Sequence, residues 1–269
     1  MSRSETTILT LVDLHRRAVA TAKPDLLNYK RDGAWRQISA AKLDNDVRAE
    51  AMGLYALGVR AGDRVALLSE NRPAWTIADF ATLNCGAADV PIYATQAPKQ
   101  VSYILNDAGV EVMFISNRAQ YDRVREALDS AAQLRTIIAF DFWESDDQRL
   151  MSLDELLARG READAAEPKL YDTLRGAVTA ETLATLIYTS GTTGEPKGVC
   201  LTHGNIVSNV VASSVALTLD TSSVVLSFLP LSHIFERSGF YLYLYRGATI
   251  FYAEGIDQVA GNMVEVRPH

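Results

Sequence analysis

Apolar positions along this chain recur at two spacings, and the two alternate. Ile8, Leu11, Val12, His15 and Val19 fall on one face at helical spacing until Lys23-Pro24 closes the segment. His15 therefore sits on or beside an apolar face and reads as a core or interface histidine. Residues 26–29 and 35–38 flank Asp32-Gly33, a pair suited to the positive φ angles of a tight hairpin turn, so an antiparallel hairpin is expected. Ser39 is placed to cap a helix carrying Leu43, Val47, Ala51 and Leu54, with Gly58 in the left-handed position past its end.

From there the periods switch repeatedly. Strands are expected over 64–68, 89–93, 110–115 and 136–140. Helices are expected from Pro73, over 98–106, and over 118–131. A short helix over 152–158 precedes 159–169, whose charged and alanine-rich composition reads as a surface connection. A second group follows: strand 184–188, a Gly/Thr/Ser loop, strand 198–201, helix 203–217, strand 224–228, helix 234–245 and strand 248–252. Strand, helix, strand succession implies an α/β fold of mostly parallel sheet covered by helices. The expected division is a first α/β part over 1–158, a connection over 159–182 and a second α/β part over 183–269, with no internal repeat of fixed period.

Composition narrows the functional classes. Twenty-six basic residues face thirty-three acidic ones for a net charge of −7, so no general positive field draws in nucleic acid. The two cysteines, Cys85 and Cys200, lie in apolar sequence surroundings and offer neither a disulfide framework nor a zinc site, which fits a reducing cytoplasm. The four histidines lack metal-ligand spacing, so no metal site is assigned. No secretory signal is read at the N-terminus, and no apolar run approaches the roughly 20 residues of a membrane span. Peripheral contact with a membrane, at its inner face, stays open, as does self-association.

One loop concentrates chemistry. Thr189-Ser190-Gly191-Thr192-Thr193-Gly194-Glu195-Pro196-Lys197-Gly198 holds three glycines, four hydroxyls and one lysine. Glycines let backbone N–H groups converge on an oxyanion, hydroxyls add donors, and Lys197 adds a mobile positive charge, the combination a polyphosphate requires. A polar turn is the plainer reading of such a cluster. A P-loop is not: that motif needs Gly-Lys-Ser/Thr opening a helix, whereas here Pro196 precedes the lysine, Gly198 follows it, and a strand comes next.

With its flanks, Leu186-Ile-Tyr before and Val199-Cys-Leu-Thr-His after, this loop resembles the AMP-binding signature of adenylate-forming enzymes, which include acyl-CoA synthetases, luciferases and peptide-synthetase adenylation domains. Phe228-Leu-Pro-Leu-Ser-His-Ile-Phe-Glu-Arg237 resembles the next core motif in the form typical of long-chain fatty acyl-CoA synthetases. Ser69-Glu-Asn-Arg-Pro-Ala-Trp75 and Asn84-Cys-Gly-Ala-Ala-Asp-Val-Pro-Ile-Tyr-Ala-Thr95 resemble the early part of the same subgroup.

The resemblance implies an N-terminal domain of the adenylate-forming fold and a two-step ligase. A fatty acid and ATP with Mg2+ give an acyl-adenylate and pyrophosphate, and coenzyme A then displaces AMP. It further implies phosphate contacts from Thr189, Ser190, Gly191, Thr192, Thr193, Gly194 and Lys197, with Thr189, Lys197 and His233 as the catalytic set. His233 reads either as a helix cap or as a group that positions the acyl carboxylate. Glu236 and Arg237 read as a solvated surface pair. The apolar helix around Phe235, Phe240, Tyr241, Leu242, Tyr243 and Leu244 reads as core, with an acyl-tunnel wall as the sharper alternative. His203 and Asn205 read as caps of the helix after the signature.

The later family motifs, a Tyr-Gly-x-Thr-Glu segment, a Thr-Gly-Asp segment and a mobile C-terminal domain, are not found, so the expectation is an incomplete N-terminal domain that does not complete catalysis alone. Uncovered strand edges should make it prone to associate. Two alternatives remain: a non-catalytic nucleotide- or acyl-binding piece, and an adenylation domain for another carboxylic acid. An amino-acid substrate is weakened because Leu229-Pro-Leu-Ser-His233 lacks an aspartate to meet an amino group.

Overall fold

The expected alternation is realised in this computed structural model, which describes residues 8–189 and 196–269. Helix α1 (Leu11–Val19) leads into the hairpin β1 (Leu27–Arg31) and β2 (Ala34–Ile38), then α2 (Ala40–Ala56), β3 (Arg64–Leu68), α3 (Pro73–Asn84) and β4 (Ala88–Ile92). Next come α4 (Pro98–Asp107), β5 (Val112–Ile115), α5 (Arg118–Asp129), β6 (Thr136–Ala139), β7 (Leu150–Ser152), α6 (Leu153–Ala166) and α7 (Leu170–Gly176). The remainder is β8 (Leu183–Thr189), β9 (Lys197–Thr202), α8 (His203–Ala216), β10 (Val224–Ser227), α9 (Ile234–Arg246), β11 (Thr249–Tyr252), a 3-10 turn (Ile256–Gln258) and α10 (Val259–Val266).

Local chemistry accounts for the boundaries. Asp32 and Gly33 adopt φ of 52° and 74°, closing the β1–β2 hairpin as its sequence requires. The Ser39 hydroxyl accepts the Lys42 N–H at the head of α2, and Pro73 occupies the first turn of α3, where its missing N–H costs nothing.

Seven strands form one sheet in the order β7-β6-β5-β3-β4-β8-β9, parallel except for β9, which runs antiparallel to β8. Four form the other in the order β10-β11-β1-β2, parallel except for β2. The sheets cross the expected division of the chain: the N-terminal hairpin pairs with β11, and β8 pairs with β4. Residues of β3 alternate between two cores. Ala66 and Leu68 pack with α4 and α5 on one face, while Val65 and Leu67 join α1, α2, α3 and α9 in a core shared with the smaller sheet.

The segment expected as a surface connection over 159–169 is instead largely helical, since α6 continues to Ala166 and α7 follows. Residues 161–166, Arg-Glu-Ala-Asp-Ala-Ala, are mostly good helix formers, and the helix runs through Gly160 because its crossing with α2 requires a glycine there. A Cβ there would lie 1.8 Å from the Ala49 carbonyl oxygen, and one at Gly53 would lie 2.5 Å from the Leu156 carbonyl, so each glycine lets α2 and α6 cross backbone to backbone. Strand β7 and helix α10 also go beyond the sequence expectation; three residues of β7 are too few to display a period.

Candidate functional site

Of the residues assigned to phosphate binding, Ser190, Gly191, Thr192, Thr193 and Gly194 lie outside the described residues. Their flanks are placed. Thr189 ends β8, Lys197 begins β9, and the two are cross-strand partners, so an antiparallel pair closes the base of the loop. Both side chains are exposed, and the Lys197 ammonium has no ion-pair partner among the described residues.

One step below, Tyr188 faces Gly198. A Cβ on Gly198 would come within 3.1 Å of the Tyr188 ring, so the glycine lets the phenol lie over the strand. The Tyr188 hydroxyl donates to Asp107 Oδ2 at 2.6 Å, which ties the β-ribbon that bears Thr189 and Lys197 to α4.

His233 is exposed and caps α9, its Nδ1 accepting the Phe235 N–H at 3.1 Å. Nε2 therefore carries the proton of the neutral ring and is left as an outward donor. The imidazole meets Tyr93, just past β4, edge to face with centroids 6.4 Å apart. Asn71, in the turn after β3, fixes the approach to His233. Its Nδ2 donates to the Leu229 carbonyl at 2.6 Å, and its Oδ1 accepts the Leu231 N–H at 2.9 Å. Asn71, Tyr93 and Thr189 thus gather where β3, β4 and β8 of the larger sheet end, the rim at which parallel sheets bind ligands, and His233, which follows β10 of the smaller sheet, meets that rim at Tyr93.

Glu236 and Arg237 do not form a solvated pair. Glu236 is buried and accepts the Ser227 hydroxyl at 2.6 Å; burial raises its carboxyl above the ordinary range. Arg237 is fully buried. Its Nη2 lies 2.5 Å from Asp79 and 2.9 Å from Asp89, Nη1 donates to Thr185 Oγ1 at 3.0 Å, and Nε donates to the Tyr241 hydroxyl at 2.8 Å. The phenol in turn donates to Asp79 Oδ2 at 2.6 Å. Burial pushes the Asp79 carboxyl up to about 7 against the pull of Arg237, and Asp89 is raised for the same reason. The sequence did hold a signal: Asp79 and Asp89 are single acids in otherwise apolar runs, and a buried acid needs a cation.

Other assignments also shift. Thr202, not His203, caps α8, in a reciprocal box with Asn205. His203 is buried and its Nδ1 accepts the Leu11 N–H at 3.2 Å, burial lowering its pKa to about 4. Cys200 is exposed, whereas Cys85 is buried and donates its thiol to the Ala51 carbonyl, its pKa pushed up to about 12 by desolvation. On α9, Phe240, Tyr241, Leu242, Leu244 and Tyr245 are core, while Phe235 is exposed. Among the described residues no group of three or more His, Cys, Asp or Glu could hold a metal ion.

Residues 15–268 match the sequence profile described as AMP-binding enzyme. The chain belongs to the AMP-binding enzyme family. Over 219 residues it is 37% identical to the long-chain-fatty-acid–CoA ligase FadD15 of Mycobacterium tuberculosis, covering 80% of this chain and 35% of that protein. It is 31% identical over 250 residues to the peroxisomal long chain acyl-CoA synthetase 7 of Arabidopsis thaliana, covering 88% of this chain and 34% of the relative. The N-terminal domain of FACL13 from Mycobacterium tuberculosis superposes with a TM-score of 0.75 at 26% identity, over 96% of this chain and 61% of that domain. This AMP-binding enzyme chain thus spans about a third of the length of the curated relatives it matches. Among its described residues, no helix is long and apolar enough to cross a membrane.

Proposed function

We propose that this chain supplies the triphosphate-binding loop and one carboxylate-positioning wall of a ligase that activates a long-chain fatty acid with MgATP and passes the acyl group to coenzyme A. The observation that carries the reading is the Thr189–Lys197 pair, which closes the base of a glycine- and hydroxyl-rich loop on the sheet rim that His233 meets at Tyr93. The names of the fatty-acyl ligase relatives support the choice of acid.

In this reading the carboxylate oxygen attacks the α-phosphorus, the bond to pyrophosphate breaks, and the thiol of coenzyme A later attacks the acyl carbon and expels AMP. Lys197, Thr189 and the donors of Ser190, Gly191, Thr192, Thr193 and Gly194 hold the β- and γ-phosphates and offset the negative charge that builds on the departing pyrophosphate. His233 directs its Nε2–H toward the carboxylate or α-phosphate oxygen, with Nδ1 held by the α9 backbone. Magnesium, when bound with the nucleotide, neutralises phosphate charge. The exposed face of α9 around Phe235 stands as the acyl-facing side.

Fatty-acid-dependent exchange of labelled pyrophosphate into ATP, measured with this segment joined to the remaining part of a fatty-acyl ligase relative, tests the reading. Exchange with long-chain acids and not with amino acids supports it. MgATP binding with no exchange for any acid would replace it with a nucleotide-binding piece, and exchange with another acid class would replace the substrate.

A further inference from the structure

The Arg237 cluster lies outside the groups expected to touch ligand, yet it joins the elements that carry them. We propose that Arg237 is a positioning residue: one guanidinium holds the His233 wall at a fixed separation from the Thr189–Lys197 wall. The consequence for ligand rests on the reading above; the spacing itself does not.

Each arm of the fork reaches a different element. Arg237 stands one turn into α9, and its own N–H donates to the His233 carbonyl at 3.0 Å, so displacing Arg237 displaces the cap. Nη1 bonds Thr185 on β8, four residues before Thr189, or about 13 Å along a strand. Nη2 meets Asp89 on β4, directly opposite Thr185 in the ladder, and also Asp79 on α3. The Trp75 ring lies 5.4 Å from the guanidinium carbon. Strand β4 leads on to Tyr93, whose ring contacts His233, so the wall is tied to its neighbour twice: at depth by Arg237 and at the rim by Tyr93.

Such a cluster is a poor choice for stability alone, because apolar groups of similar volume commonly serve as well as a buried ion pair. What it adds is geometry. A planar fork with five fixed donors can register α9, α3, β4 and β8 at once, which a lysine point charge cannot.

The test places spin labels at Val199→Cys on β9 and Phe235→Cys on α9, both exposed, with Cys200→Ser to remove the reactive thiol. Pulsed-dipolar distances are recorded below the unfolding midpoint of each variant. Arg237 should give one narrow distance. Arg237→Lys should broaden it at least about twofold, and so should the charge-neutral combination Arg237→Met with Asp79→Asn and Asp89→Asn, even where that combination restores the midpoint. An unchanged distribution in the folded variants, or one that narrows again whenever stability returns, overturns the proposal. MgATP affinity of the same samples separates the two claims. Broadening with about tenfold weaker binding supports both; broadening in a chain whose parent never binds MgATP leaves the positioning role intact and defeats the nucleotide reading.

Discussion

His15 shows how much a single buried group can reveal. Its imidazole is stacked on Phe80 with centroids 5.0 Å apart, neither ring nitrogen has a hydrogen-bond partner, and burial lowers its pKa to about 3. The folded state therefore holds this ring neutral while the unfolded chain protonates it near 6.5. The unfolded state binds more protons, so His15's share of stability is complete above pH 6.5 and is lost as pH falls toward 3. His15→Phe should be at least as stable as the parent, and its advantage should grow by up to about 1.4 kcal/mol per pH unit below that point. Urea unfolding of both proteins from pH 7 to pH 4 checks this; a constant difference would contradict it. The placement of His15 on an apolar face was legible from spacing alone. That of Arg237 was not, because its partners Asp79 and Asp89 lie about 150 residues earlier and hydropathy carries no information on which distant acid a cation will meet.

Elements whose signals are local follow the sequence reading closely. Strand β3 matches its expected residues, the hairpin and the Ser39 cap form where turn and capping chemistry place them, and β8 and β9 lie within a residue of their expected bounds, although their antiparallel pairing was not part of the sequence reading. The miss over 159–169 arose from reading a charged, alanine-rich stretch as a connection, although alanine and glutamate favour helix; Gly160, which lowers helix propensity, is kept where α6 crosses the α2 backbone at Ala49 and Gly53. Propensity and packing make opposite demands on that residue, and only the second is invisible in sequence. Gly160→Ala should therefore destabilise the protein by about 1–3 kcal/mol despite alanine's better helix propensity, while Gly176→Ala, which meets open space, should change little. Thermal melts of the two variants separate them, and a stabilised Gly160→Ala would refute the crossing. Gly198→Ala, pressed against Tyr188, should instead disturb the ribbon that bears Lys197.

Across the molecule, the two sheets draw strands from both ends of the chain, so pairing β1 with β11 or β4 with β8 is a long-range event that no local pattern announces. The parallel α/β class was legible; the mixing was not. Strand β9 lies at the edge of the larger sheet with Lys197, Gly198, Val199 and Cys200 all exposed, so the chain should self-associate through that edge, which is unpaired among the described residues. Sedimentation velocity at tens of micromolar should show species larger than the monomer, and a single monomer at every concentration would contradict this. The role of the loop between Thr189 and Lys197 is tested most directly by titrating MgATP into the chain and into Lys197→Ala by calorimetry. Loss of a charged contact to phosphate should weaken affinity about 10- to 100-fold with no change in unfolding midpoint. Equal affinity in the two proteins would contradict a triphosphate-binding loop.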